Sequence, residues 1–154
     1  MIKYVIGHWT AGNYKPCNLD LNSYQMLIDG DGIVHAGKPV GQASSTGGMN
    51  SITYNISCCG GLNSTPIKAK QIESFFKNCA IILKKYNLSV DKFYTHAEIG
   101  QMVKDKTITK LLPNNSYLKQ NIGKVDLMKL PYNLNGMTHG DFIRSKIKWY
   151  LDKV

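Results

Sequence analysis

Two histidines stand where short β-runs end. A side chain held at the end of a buried strand is rigid and still reaches solvent, which suits a metal ligand or a general base. His8 closes the run Lys3–His8, ahead of the loop Trp9-Thr10-Ala11-Gly12-Asn13. His96 lies in Phe93-Tyr94-Thr95-His96-Ala97-Glu98-Ile99, an aromatic and β-branched run that gives way to a polar segment at Gly100. A hydrolytic zinc takes three protein ligands from His, Asp, Glu or Cys and keeps a fourth position open. Spacing alone does not separate a His8–His96 metal pair from two histidines satisfied structurally. Among the other candidates, His35 falls in a hairpin and His139 in a polar turn, and both read as surface residues. Cys17, near His8 in sequence, is a candidate soft ligand. Glu98 reads either as a partner or base for the site or as an exposed strand-end carboxylate.

The elements that must position these groups are legible as patterns. Tyr24–Asp29 and Gly32–Ala36 flank Gly30-Asp31 and predict a β-hairpin. After a polar loop to about Asn22, this hairpin is the second feature of the chain. Gly37–Asn50 is small, polar and Gly-rich, a loop expected to line a cleft. Ser51–Cys59 returns to strand with Ile52, Tyr54, Ile56 and Cys58 on one face. A helix is predicted over Pro66–Tyr86, with Thr65 as N-cap and a stripe of Ile72, Phe75, Phe76, Cys79, Ile82, Leu83 and Tyr86. Asn87-Leu88-Ser89 closes it. Gly100–Gly123 is lysine-rich and irregular, with a break at Pro113-Asn114-Asn115 between two short helical pieces. The last helix, about Asp141–Lys153, is amphipathic and basic: Ile143, Ile147, Tyr150, Leu151 and Val154 lie on one side, and Arg144, Lys146, Lys148 and Asp152 elsewhere. It is expected to pack on the domain or, alternatively, to touch an anionic surface.

A chain of 154 residues, 43% apolar and 19% charged, fits one domain, 1–154, with a real core. No apolar run approaches a membrane span, and the stretch before His8 is too short for a secretory signal. The net charge of +9 comes from eighteen lysines and Arg144 against ten acids. Such an excess attracts polyanions: nucleic acid, an anionic membrane or an acidic wall polymer. Lysine almost alone argues against base reading, and no recognition-helix, zinc-finger or RNA-binding signature is present. Cys17, Cys58, Cys59 and Cys79 fit no CxxC pair and read as free thiols, mostly buried.

Five blocks then decide the reading. Val5-Ile6-Gly7-His8-Trp9-Thr10-Ala11, Ser23–Gly32, Thr53–Gly61, Thr95-His96-Ala97-Glu98 and Lys124-Val125-Asp126 resemble, in order, the blocks of the zinc-dependent N-acetylmuramoyl-L-alanine amidases. That family includes phage endolysins, to which the resemblance is nearest, and peptidoglycan recognition proteins. The resemblance implies an α/β fold, a central mixed sheet of about five or six strands flanked by helices. It implies zinc held by His8, His96 and Asp126, with Tyr24 near the metal and Lys124 taking part in catalysis. The activity implied is hydrolysis of the amide joining N-acetylmuramic acid to L-alanine, with peptidoglycan as substrate. The implied setting is a single catalytic domain without a separate wall-binding domain. It would be a monomer made in a host cytoplasm and acting on periplasmic peptidoglycan, its basic charge drawn to the anionic envelope. A non-catalytic wall-binding module and an antibacterial effector amidase are the rival readings. The sequence departs from the family in three places. Ser57 stands in the strand where some members carry a catalytic glutamate, Gln25 stands where a histidine is common, and the path from His96 to Lys124 is longer than in many members.

Overall fold

Tyr4–Trp9 (β1) and Thr53–Cys58 (β4) are rich in β-branched and aromatic residues and pair in parallel. The computed structural model describes residues 1–154. Met26–Ile28 (β2) lies parallel to β4, Val34–Ala36 (β3) returns antiparallel to β2, and Phe93–Thr95 (β5) lies parallel to β1. The result is a five-stranded mixed sheet in the order β3-β2-β4-β1-β5. Four further segments are helical: Asn18–Ser23 (α1), Ala69–Lys85 (α2), His96–Lys104 (α3) and His139–Leu151 (α4). Short 3-10 turns occupy Val90–Lys92, Thr107–Lys110 and Ser116–Asn121. No helix is long and apolar enough to cross a membrane.

Alternation along the strands sorts side chains onto two faces with different work. Val5, Ile56 and Cys58 join Ile72, Phe75, Phe76, Cys79 and Leu83 of α2 and Phe142, Ile143 and Ile147 of α4 in the larger core. Burying each large apolar side chain is worth about 1.5–3 kcal/mol, which fixes the face α2 turns inward. On the other face Tyr4 and Ile6 pack with Ile99 of α3 and with Met49, Ile108 and Leu118. The same face of β4 carries Thr53, Asn55 and Ser57, all fully buried and polar.

The structure moves several expected boundaries. β5 stops at Thr95, and His96 is the first residue of a helix rather than the tip of a strand. Thr95 Oγ1 accepts from the Glu98 N–H at 3.0 Å, and Glu98 Oε1 accepts from the Thr95 N–H at 3.0 Å, a reciprocal cap that forces the helix to begin there. Both Glu98 oxygens also take Arg144, at 2.8 and 2.7 Å, so this carboxylate is neither a free base nor an exposed strand end. The stretch before Asn22 contains α1, whose first turn is held by Asp20 accepting from the Cys17 N–H at 3.0 Å. α2 begins at Ala69 instead of Pro66, because Thr65 and Pro66 are engaged elsewhere. Thr65 donates to Gly12 O at 2.8 Å, and Pro66 O accepts from Tyr14 Oη at 2.6 Å. α4 begins two residues early, at His139, capped by Thr138, so His139 opens a helix rather than lying in a turn. It packs on the domain. The hairpin stands, with shorter strands, and its turn is organised by buried Asp29, which accepts from Asp31 N, Ile33 N, Lys15 Nζ and His35 Nε2. All four cysteines are free, and only Cys17 is exposed.

Gly7, immediately before His8, is pressed by two rings: a Cβ there would lie 2.6 Å from Phe93 Cζ and 2.9 Å from Phe75 Cζ. Gly7→Ala is therefore expected to lower stability by about 1–3 kcal/mol through overpacking. Urea unfolding should show a lower midpoint with an unchanged slope.

Candidate metal centre

Parallel pairing sets β1, β4 and β5 with their C-terminal ends at one edge of the sheet, where open α/β sheets present their ligands. Gly7 registers with Thr95 and His8 with Ser57. His8, next along β1, and His96, next after β5, therefore emerge side by side. Their ring centroids are 4.7 Å apart with planes at 69°. Asp126 reaches them from the far end of the 100–123 segment. It is anchored by its neighbour Leu127, which is fully buried in the larger core with a left-handed φ of 64°. The Trp9 N–H donates to Asp126 Oδ2 at 3.2 Å and orients the carboxylate.

The three groups face each other through their basic atoms. His8 Nδ1 lies 3.5 Å from Asp126 Oδ2, and His96 Nδ1 lies 3.7 Å from Oδ1. The ligand atoms of the three residues all fall within 4.8 Å of one another. These separations are long for direct N–H···O bonds. The two nitrogen–oxygen separations, 3.5 and 3.7 Å, are close to the roughly 3.3 Å edge of a tetrahedron built on zinc–ligand bonds of about 2.0–2.1 Å. Two imidazole nitrogens and one carboxylate are also a donor set of hydrolytic zinc. The residues present thus fit the ion on both geometry and chemistry.

Electrostatics agree with that role. Burial pushes the His8 imidazole below its ordinary value against the pull of Asp126, which favours the neutral, ligating ring. Burial alone would raise the Asp126 carboxyl, but the facing His8 and His96 rings hold it well below the usual carboxylate range. Tyr24 stands beside His8, with ring centroids 5.0 Å apart. Burial, reinforced by the Asp126 charge, raises its phenol above the ordinary value and outweighs the Ser57 hydroxyl, which pulls the other way. The phenol stays protonated and is a donor.

A hollow of about 380 Å³ opens beside His96 and Asp126, lined also by Trp9, Tyr24, Ser45 and Lys124. It runs into a polar groove of about 620 Å³ that shares Ser44, Ser45, His96 and Lys124 with it. The Gly-rich loop before β4 forms one wall of the groove, in line with its expected place beside a cleft. Asp126 is the only carboxylate in the hollow. Cys17, His35 and His139 take no part: Cys17 precedes α1 on the surface, His35 is bound to Asp29, and His139 opens α4. Sequence reasoning missed Asn55 and Asn121, whose Oδ1 atoms lie 2.8 and 2.7 Å from Nε2 of His8 and His96. A signal for the first was present, since Asn55 is the middle of three polar residues on one face of an otherwise apolar strand.

Comparison with known proteins bears on the family and the fold. A family model described as N-acetylmuramoyl-L-alanine amidase matches residues 1–109, a span that contains His8 and His96 and stops before Lys124 and Asp126. No curated protein matches the sequence. Among solved structures, the fold is similar to the amidase LysC from Clostridium intestinale URNW (TM-score 0.55, 18% identity, 73% of this chain and 87% of that one). It is also similar to the Staphylococcus aureus hydrolase AmiA in complex with its ligand (TM-score 0.58, 17% identity, 99% and 76%). A third is the Ph2119 endolysin of the Thermus scotoductus MAT2119 bacteriophage (TM-score 0.51, 18% identity, 80% and 86%). At such identities the likeness is one of fold.

The centre makes a direct prediction. The protein should take up a single zinc ion per chain, and His8→Ala, His96→Ala or Asp126→Ala should each abolish tight uptake. Competition against a chromogenic chelator measures this.

Proposed function

The chain belongs to the N-acetylmuramoyl-L-alanine amidase family, and on that premise we propose that it is a zinc-dependent peptidoglycan amidase, cleaving between N-acetylmuramic acid and L-alanine. The observation that carries this reading is the convergence of His8 Nδ1, His96 Nδ1 and the Asp126 carboxylate beside a solvent-open hollow that His96 and Asp126 line. His8, His96 and Asp126 would hold the zinc. Bound there, it supplies Lewis acidity that polarises a carbonyl and lowers the pKa of water from about 15.7 to about 7.

The remaining work falls to the chain's own side chains. Tyr24 Oη, kept protonated, donates to the scissile carbonyl oxygen as negative charge gathers on it. Lys124, which lines both the hollow and the polar groove, would add positive charge to the same oxygen through its ammonium and deliver a proton to the departing alanine nitrogen. With Asp126 committed to His8 and His96, no second carboxylate is available as a base, which favours this tyrosine–lysine arrangement over a glutamate-dependent one. Retention of all three ligands favours an enzyme over a wall-binding module.

The biological setting we infer is phage lysis, with synthesis in the host cytoplasm and action on periplasmic peptidoglycan. The net charge of +9 supports attraction to an anionic envelope.

The test is digestion of purified peptidoglycan followed by mass spectrometry of the new ends. New L-alanine amino termini without new reducing sugars are expected; new reducing ends would mark a glycosidase and sink the proposal. Full cleavage by metal-free protein would rule out zinc. Tyr24→Phe and Lys124→Met should each reduce kcat by about 10²–10³ while zinc uptake is unchanged, the loss expected for one oxyanion donor.

A further inference from the structure

Each histidine turns Nδ1 toward Asp126, and the groups behind the rings dictate that choice. We propose that Asn55 and Asn121 are positioning residues that lock His8 and His96 with the proton on Nε2, so that both Nδ1 lone pairs face the metal position. The inference rests on the zinc reading above and assigns a task to residues outside the ligand set.

The argument follows the direction of each hydrogen bond. A carboxamide oxygen only accepts and its nitrogen only donates. Asn121 Nδ2 donates to Gly47 O and Leu118 O, both at 2.9 Å, and backbone carbonyls cannot donate in return. Turning the amide over would set its oxygen against two carbonyls. Asn121 Oδ1 is therefore the atom 2.7 Å from His96 Nε2, and that nitrogen must carry the proton.

The chain behind His8 is longer and ends the same way. Asn55 Nδ2 donates to Gln25 Oε1 and Thr53 Oγ1, both at 3.2 Å. The Thr53 hydroxyl is committed to Met49 O at 2.9 Å, and Gln25 Nε2 is directed at Pro39 O at 3.3 Å. Asn55 Oδ1 is left to accept from His8 Nε2 at 2.8 Å and from Thr46 Oγ1 at 2.8 Å. His8, Gln25, Thr46, Thr53, Asn55, His96 and Asn121 are all buried, so reversing either chain would strand polar atoms away from water. Gln25, which departs from the family pattern, is a link in this chain. Asn121 belongs to the long 100–123 segment, which thereby gains a task at the metal.

The experiment reads tautomers and zinc affinity, neither of which needs substrate. In the metal-free protein, with neutral rings, nitrogen chemical shifts of labelled histidine should report Nε2–H for both residues. In Asn121→Leu, Asp126 becomes the remaining acceptor beside His96, and the ring should swing to Nδ1–H. Zinc affinity should fall about 10–100-fold, the usual cost of losing such a partner. Asn121→Asp keeps an acceptor for Nε2–H although its second oxygen meets the Gly47 and Leu118 carbonyls, so its His96 ring should stay Nε2–H where that of the leucine variant has swung. An Nδ1–H signature in the unsubstituted protein would overturn the proposal. So would unchanged affinity in Asn121→Leu, or an aspartate variant whose ring swings to Nδ1–H like the leucine one, since that would mark a merely structural role. Failure of the unsubstituted protein to bind zinc would instead strike the metal reading, and the tautomer result would still decide the positioning.

Discussion

Parallel pairing of β1 with β4 and β5 brings like ends of three strands to one edge, and nearly everything else in the molecule answers to that constraint. It sets His8 and His96 on adjacent termini without any long loop having to find its place. It also requires β1 to be covered on both faces, which explains two cores instead of one. The face under α2 and α4 is filled with large apolar groups. The opposite face changes character along β4, where the buried residues are the polar Thr53, Asn55 and Ser57 and Asn55 meets the His8 ring.

The segment from 100 to 123 shows how composition can mislead. Its lysines give it the look of a surface excursion, yet Ile108 and Leu118 are buried in the second core and Asn121 backs His96. Asn115 Nδ2 donates to Gly48 O at 3.2 Å, joining the segment to the loop that lines the groove. A few buried residues spaced among exposed lysines are enough to make a layer.

Much of the frame was legible where a pattern is local. The run ending at His8, the hairpin around Gly30-Asp31, the apolar stripe of α2 and the inward side of α4 all follow from periodicity. Boundaries decided by distant partners were not. α2 starts late because Thr65 and Pro66 are occupied by Gly12 and Tyr14, more than fifty residues away in sequence. The β5–α3 junction is a different case, since Thr95-His96-Ala97-Glu98 has the form of a capping box and could have been read as one. The β-propensity of Phe93–Ile99 concealed it. Of the site, the three residues that meet, His8, His96 and Asp126, were named through the resemblance. The tautomer-directing amides were not, because an asparagine in a strand or a turn carries no mark of what it faces.

The double use of Glu98 reaches beyond the folded state. This carboxylate caps the helix that begins with His96 and grips Arg144, 46 residues further along the chain. During synthesis, His8 and His96 leave the ribosome long before the guanidinium that steadies α3, and before Asp126 as well. The three candidate ligands are all present once Asp126 has emerged, and the guanidinium that grips Glu98 follows 18 residues later.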